Sequence, residues 1–186
     1  MALLTYSMIV SLDGYVADEA GGFDWSMPDE EVHAFVNDLE RSAGTYLYGR
    51  RMYEIMRYWE DVPDLAAEPA VVREYAAIWR QAEKIVYSRT LPGVDTARTT
   101  LERAFDPEAV RRLKAAAGRE LTVGGPGLAG QALAAGLVDE LGAFVVPVLA
   151  GGGTPWLPRG VRAHLELTDE RRFAGGFAYL RYRVRG

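Results

Sequence analysis

Two glycine-rich turns and several arginines are the residues best suited to binding a charged ligand. Gly49 precedes Arg50 and Arg51, and Ser88-Arg89 follows another apolar run. Gly124 to Gly127 separates a predicted strand from a predicted helix. Backbone N–H groups at such turns hold phosphate, and the planar, permanently charged donors of arginine suit a phosphate monoester. The pattern therefore predicts a nucleotide site that prefers NADPH, with its extra 2′-phosphate, to NADH.

The second glycine turn also raises the question of a Rossmann loop. Gly125 to Gly130 has the spacing GxGxxG, but it lies near the end of the alternating region and places Gly130 inside the predicted helix. About twenty residues onward, where a Rossmann fold carries a ribose-binding acid, the chain has the apolar run Phe144 to Val146. The GxGxxG spacing is therefore only a weak indication of a Rossmann loop, and a tight turn explains the glycines equally well.

Two carboxylates are candidates for proton transfer. Glu31 lies one helical turn before Phe35 and so projects along the edge of the apolar face, where an apolar pocket would raise its pKa toward neutrality. An acid in a first helical turn also stabilises the helix dipole, which is the alternative role for Glu31. Asp13, in Ser11-Leu12-Asp13-Gly14, either stabilises a turn or takes part in the chemistry.

Other site classes are poorly supported. The chain has no cysteine, and its two histidines, His33 and His164, are far apart, so no metal site is predicted. Gly151 to Thr154 lacks the GK[ST] ending of a phosphate-binding P-loop. Phe23 and Trp25 either pack at the start of a helix or stack against a planar ligand.

Composition indicates one globular domain spanning 1–186. Of the 186 residues 49% are hydrophobic and 25% charged, which suits a packed core, and the net charge of −5 argues against a nucleic-acid partner. The longest apolar stretch, Leu141 to Ala150, contains Pro147 and is too short to cross a bilayer. We expect a soluble cytoplasmic protein that binds a small molecule and no membrane.

The elements that must position these residues alternate along the chain. Strands are predicted at 3–10, 45–48, 84–87, 121–123 and 140–146, and helices from Ser26 to Gly44, over 52–58, from Glu68 to Ala82, from Asp106 to Gly118 and over 128–135. Two β-rich runs, 164–173 and 177–184, meet at Gly175-Gly176 and predict an antiparallel hairpin. The expected fold is α/β: a mostly parallel sheet with helices on both faces and a C-terminal antiparallel hairpin.

Five segments in this order resemble a known family. They are Ser11 to Ala17, Leu47 to Glu54, Lys84 to Leu91, Leu121 to Gly127 and Pro147 to Gly153. With these five segments in this order, the chain resembles the dihydrofolate reductase-like superfamily, and more closely the C-terminal reductase domain of bifunctional riboflavin-biosynthesis deaminase-reductases. It carries no deaminase H-x-E with P-C-x-x-C.

The resemblance implies a three-layer dihydrofolate reductase-like fold, a homodimer, and NADPH-dependent hydride transfer to a heterocycle or a ribose-derived carbon. The residues implied to meet the cofactor are Ile9, Val16, Ala17, Gly49, Arg50, Arg51, Met52, Ser88, Arg89, Gly124, Gly125, Pro126, Gly127 and Leu128. Met52 replaces the threonine that dihydrofolate reductases carry, so one phosphate hydrogen bond is missing.

The resemblance also favours an acid one turn before a phenylalanine in the first helix. Glu31 and Phe35 fit that spacing, whereas counting from Pro28 selects Glu30; only Glu31 shares the face of Phe35. Glu31 and Asp13 are thus the candidate catalytic residues, and Trp25 and Phe35 the candidate substrate contacts. The alternative function is a non-catalytic nucleotide-binding or small-molecule-binding protein on the same fold.

Overall fold

Eight strands form one central sheet in a computed structural model that describes residues 1–185. The strands are β1 Leu4–Ser11, β2 Tyr15–Ala17, β3 Ala43–Gly49, β4 Glu83–Tyr87, β5 Thr99–Glu102, β6 Glu120–Gly124, β7 Glu140–Val146, β8 Thr154–Pro155, β9 His164–Arg172 and β10 Ala178–Arg185. The helices are α1 Glu30–Glu40, α2 Arg50–Met56, α3 Ala70–Gln81, α4 Pro107–Ala116 and α5 Pro126–Ala134.

The sheet has the order β5-β4-β3-β6-β1-β7-β10-β9, and β2 pairs separately with β8. The first six of these strands are parallel, β10 runs antiparallel to β7, and β9 runs antiparallel to β10. The predicted α/β class, with its mostly parallel sheet and C-terminal hairpin, is confirmed.

Successive side chains along each strand point to opposite faces of the sheet, so the core has two parts, one on each face. In β3, Leu47 packs with Val110 of α4 and Leu128 of α5, whereas Tyr46 and its neighbour Tyr48 pack toward α3. Helices α1 and α3 contact each other on the tyrosine-bearing face. The sheet therefore lies between two helical layers, and its parallel strands all end at the same edge.

Local signals placed most helices correctly. Asp106 caps α4 by accepting a hydrogen bond from the Glu108 N–H at 2.9 Å, and Pro126 occupies the first turn of α5, two residues before the predicted start. Among residues 1–185 no helix is long and apolar enough to cross a bilayer.

Two boundaries of the first helix were wrong. Ser26 lies in a short 3-10 turn, and α1 begins four residues later at Glu30. Its N-cap is Asp29, which accepts from the Val32 N–H at 2.9 Å. Gly44 does not end the helix but lies inside β3, where a Cβ atom would come within 2.7 Å of Arg119 Cβ. That glycine is needed because another chain segment packs closely against it.

The short strands β2, β5 and β8 were not predicted. β5, Thr99–Glu102, is polar and only four residues long, and β8 has two residues. Such segments lack an apolar period of their own, and their strand conformation comes from pairing with β4 and β2.

Candidate active site

A cleft of about 1720 Å³ opens at the edge where the parallel strands end. Gly49 after β3, Ser88 after β4 and Gly125 after β6 line it together with residues near the end of β1. The order of the sheet explains this position, because β6 lies between β1 and β3 and the connections diverge there. In open α/β sheets, ligands bind at such a point.

Every residue predicted to bind the cofactor lines this cleft. They come from β1, the β2 segment, the start of α2, the turn after β4 and the turn that begins α5. The tertiary structure thus brings together five segments that are distant in sequence. Their contact with a cofactor stays a prediction.

Four arginines give one end of the cleft a positive charge. Arg50 donates to Glu54 at 2.8 Å and to Thr90 at 3.0 Å, and Arg103 donates to the carbonyl of Leu91 at 2.6 Å. Arg51 and Arg89 are exposed and have no ion-pair or hydrogen-bond partner among residues 1–185. Two guanidinium groups are therefore available to an anionic ligand.

The glycines beside them bring backbone close to the cleft. Gly125 has φ +90°, and a Cβ atom there would lie 3.1 Å from Met52 Cβ. A Cβ atom on Gly124 would lie 2.7 Å from Tyr48 Cε1, so a larger residue would displace the buried tyrosine. Gly130 instead packs against Pro158 and contributes nothing to a GxGxxG phosphate turn. The Rossmann interpretation is therefore wrong in detail.

The predicted proton donor Glu31 does not face the cleft. One of its oxygens accepts from Arg171 of β9 at 3.3 Å and the other accepts from the Ala174 N–H at 3.0 Å. The acid therefore fastens α1 to the turn of the C-terminal hairpin. Glu30, the alternative candidate, is exposed and also lies outside the lining of the cleft.

Phe35 and Trp25, the predicted substrate contacts, are half-buried and pack against a core cluster that includes Phe144, Phe173 and Tyr179. Phe35 makes edge-to-face contacts with Phe144, Phe173 and Tyr179, with ring centroids 5.0 to 6.1 Å apart. Trp25 packs against the same cluster, whereas its neighbours Phe23 and Ser26 line the cleft. Neither residue lines the cleft, because α1 turns this apolar side toward β7 and the hairpin, and their contact with a substrate stays a prediction.

Asp13, the other predicted catalytic residue, fastens a loop. Its carboxylate accepts from the N–H groups of Ala150 and Gly151 at 2.9 and 2.8 Å. Hydrogen bonds from the Ser11 hydroxyl and from Ala150 lower the pKa of Asp13 to about 2. The residue lies outside the lining of the cleft, so the structure supports the turn-stabilising alternative.

Besides Asp18 and Glu19, the cleft is lined by the carboxylate of Glu40, which the sequence analysis missed. It lies one turn after Val36, and both side chains line the cleft. Its buried Oε2 has no hydrogen-bond partner among residues 1–185, and burial raises the pKa of Glu40 to about 7. One signal was visible in the sequence: an acid in the last turn of a helix opposes the helix dipole.

Known proteins share both the sequence pattern and this architecture. A family model described as the RibD C-terminal domain matches residues 2–179. The chain belongs to the RibD C-terminal domain family. The uncharacterized protein YyaP of Bacillus subtilis is 27% identical over 183 residues, which cover 96% of this chain and 93% of YyaP.

Solved structures with this RibD C-terminal fold are similar at lower identity. A candidate riboflavin biosynthesis protein from Shewanella sp. PV-4 has a TM-score of 0.77 at 21% identity, with both chains fully covered. A pyrimidine reductase-like protein from Corynebacterium diphtheriae has a TM-score of 0.70 at 16% identity over the whole of this chain and 92% of its own. A deaminase/reductase from Thermotoga maritima has a TM-score of 0.68 at 14% identity; 99% of this chain matches 57% of that one. These likenesses show the fold.

Proposed function

We propose that this protein is an NADPH-dependent reductase that transfers hydride to a small heterocyclic or ribosylaminopyrimidine-like substrate. The observation that carries the proposal is that one cleft is lined by two unpaired arginines, Arg51 and Arg89, and by the glycine turn Gly124 to Gly127. Family membership supports it, because relatives with this fold include a 5-amino-6-(5-phosphoribosylamino)uracil reductase.

The arginine end suits a dinucleotide with a 2′-phosphate. Arg51 and Arg89 offer planar donors to that phosphate, and the first N–H groups of α5, at Gly127 and Leu128, have no partner within the helix and suit the pyrophosphate. Ile9, together with Val16 and Ala17, provides a mainly apolar wall for the nicotinamide. When bound, the cofactor supplies the hydride.

The other end of the cleft suits a planar, mainly uncharged ring. Phe23, Val36 and Phe144 supply apolar surface, and Ser7, Glu40 and Tyr46 supply polar groups. Pteridines, aminopyrimidines and flavin precursors have this mixture of a flat apolar face and a polar edge, so they form the first substrate panel.

The decisive experiment compares NADPH with NADH by quenching of tryptophan fluorescence and by the shift in melting temperature. We predict that Arg89→Ala weakens NADPH binding about 10- to 100-fold, the cost of a charge-assisted phosphate contact, and leaves NADH nearly unchanged. Arg50→Ala should act in the same direction but less, because Glu54 already neutralises part of its charge.

Arg98→Ala is the matched control, because Arg98 pairs with Glu83 outside the cleft. Equal loss of both cofactors in Arg89→Ala would contradict the 2′-phosphate assignment. Met52 offers no hydroxyl to a phosphate, which favours the alternative of a binding protein without turnover. NADPH oxidation with any member of the panel would exclude that alternative.

A further inference from the structure

We propose that Glu40 is the proton donor of this cleft, and that it is reprotonated from solvent through a second cavity behind it. The proposal rests on the reductase function proposed above. It concerns a residue outside the predicted site and a route that does not pass through the mouth of the cleft.

The second cavity has a volume of about 210 Å³ and lies between the end of α1 and the sheet. At its outer end are Asp38 and Ser42, both exposed side chains, and at its inner end is Glu40. Glu40 thus borders both spaces. The residues that line the second cavity as well as the cleft are Ser7, Val36, Glu40, Thr122 and Phe144.

Small side chains in the two central strands create this space. Thr5 and Ser7 of β1 and Thr122 of β6 face α1 between larger aromatic neighbours, Tyr46 on β3 and Phe144 on β7. Hydroxyl residues of this size do not fill the gap beneath a helix. A volume of that size holds several water molecules at about 30 Å³ each.

Unpaired polar atoms mark the path along the two cavities. Thr5 Oγ1, Ser7 Oγ, Tyr46 OH and Glu40 Oε2 are buried and have no hydrogen-bond partner at ordinary distance within residues 1–185, although the Tyr46 hydroxyl lies near enough to the Glu40 carboxyl group to oppose the rise of its pKa. Buried polar groups are stable only when water or a ligand satisfies them, so these four atoms indicate a hydrated path. Hydroxyl groups both donate and accept, which lets such a path pass a proton along.

The surroundings of Glu40 raise its pKa to about 7, so both its protonated and its ionised form are present at neutral pH, although a hydrogen bond with Tyr46 acts in the opposite direction. Burial is the main cause of its raised pKa, and the Glu120 carboxylate acts in the same direction. Arg181, the cation that lines the second cavity, donates to Glu140 at 2.9 Å, so its charge is already compensated. The titratable and charged groups that face Glu40 are Tyr46, Tyr48, Tyr75, Tyr179, Glu120, Asp38 and Arg181.

Reduction of a C=N or C=O bond needs this proton. When hydride adds to the carbon, the π electrons move to the nitrogen or oxygen, which takes the proton from the Glu40 carboxyl group. The carboxylate that remains then takes a proton that water in the second cavity relays from solvent, each water molecule receiving one proton as it passes another on. Because ligands would cover the mouth of the cleft, a separate route to solvent lets the acid recover without their release.

The first test does not require turnover. Infrared spectra of the protein labelled with ¹³C-glutamate, saturated with NADP⁺, are compared between the natural chain and Glu40→Gln over a pH series. We expect a protonated carboxyl band that Glu40→Gln lacks and that disappears as pH rises through about 7. A carboxyl that is fully ionised at neutral pH would overturn the proposal, whereas failure of NADP⁺ to bind would overturn the reductase function instead.

The second test uses NADPH oxidation with the substrate from the panel that reacts fastest. Glu40→Gln should lower kcat at least ten-fold, with little change in KM or NADPH affinity, and should abolish the fall in rate above neutral pH. Glu40→Asp should keep that pH dependence at a reduced rate, and it replaces Glu40→Gln if the amide variant does not fold. Unchanged kcat in Glu40→Gln would overturn the proton-donor role.

A bulky side chain at the outer end of the second cavity tests this cavity as the route for protons. Ser42→Trp should narrow the outer end of the second cavity and lower kcat several-fold with a larger solvent isotope effect. Ser42→Ala removes the hydrogen bonds to Glu120 at 2.6 Å and to the Leu39 carbonyl at 3.0 Å without narrowing the cavity, so its rate should stay within about two-fold of that of the natural chain. A kcat for Ser42→Trp equal to that of the natural chain would overturn the proposal that protons pass through the second cavity.

Discussion

Three carboxylates near the cleft differ in what their oxygen atoms meet, and this sets what each can do. Glu31 is held by an arginine and a backbone N–H, and Asp13 by two backbone N–H groups. Both carboxylates are held by hydrogen bonds and lie outside the lining of the cleft. Glu40 lines the cleft, its Oε2 is buried without a hydrogen-bond partner within residues 1–185, and burial raises the pKa of Glu40 to about 7.

At the residue scale we predict that Asp13 contributes to stability in a pH-dependent way. Its pKa is depressed from 3.8 to about 2, so the stabilisation is present above the unfolded pKa and is lost as pH falls through about 2. Asp13→Asn should lower the melting temperature at neutral pH. The difference in melting temperature between this variant and the natural chain should become smaller as the solution is acidified. Thermal unfolding over a pH series measures this.

Asp61→Asn serves as the control, because Asp61 is exposed and forms no hydrogen bond through its side chain within residues 1–185. An Asp13→Asn melting curve that follows the natural one at every pH would show that the loop contacts add no stability.

At the scale of elements, long-range contacts decide how the helices are set against the sheet. Helix α1 turns Phe35 toward the hairpin and Glu40 toward the cleft, although both lie on one short helix. On the opposite face, buried Lys114 of α4 donates to Asp139 and to the carbonyl of Leu137, both at 2.6 Å. Asp139 also accepts from the Leu4 N–H at 2.7 Å, so one carboxylate connects β1, α4 and the start of β7.

We predict that Lys114→Met lowers the free energy of unfolding by about 2 kcal/mol, since it leaves the half-buried Asp139 carboxylate with the Leu4 N–H as its remaining donor and removes the donor to the Leu137 carbonyl. Urea unfolding measures the change. Arg112→Met, on the same helix, removes an exposed pair with Asp106 and should cost under about 0.5 kcal/mol. Equal effects of the two substitutions would contradict the importance of the Asp139 junction.

At the scale of the whole molecule, β9 leaves one edge of the sheet open. Every residue of β9 is exposed, including Leu165 and Leu167, which are 43% and 47% accessible on the same side of the strand. An edge strand with exposed apolar side chains pairs readily with another chain. The homodimer implied by the resemblance would cover this edge, and we propose β9 as its interface.

We predict that the natural chain sediments as a dimer and that Leu165→Glu combined with Leu167→Glu yields a folded monomer, because the two added charges would face each other across the interface. Analytical ultracentrifugation with circular dichroism measures both properties. Leu12→Glu changes a more exposed leucine elsewhere, 66% accessible, and should leave the dimer intact. A natural chain that is monomeric at micromolar concentration would contradict this prediction.

Much of the fold and the arginine end of the cleft could be predicted from the sequence, because the signals are local. Asp106 before Pro107 caps a helix wherever it occurs, and Gly124-Gly125 permits a close turn through its own backbone freedom. Since the carboxyl ends of parallel strands share one edge, turns that follow such strands must meet. That rule placed Gly49, Arg89 and Gly125 in one cleft without knowledge of any side-chain contact.

The position of the candidate acids relative to the cleft could not be predicted from the sequence, because it depends on the tertiary structure. Helical periodicity correctly grouped Glu31 with Phe35, but the direction of that face is set by contacts with Arg171 and Ala174, about 140 positions away in the chain. The second cavity depends in turn on β1 and β6 lying side by side, which brings Ser7 and Thr122 together beneath α1. The sequence by itself therefore determined the order of the elements and the glycine and arginine turns, whereas packing between distant segments decided that Glu40, and not Glu31, lines the cleft.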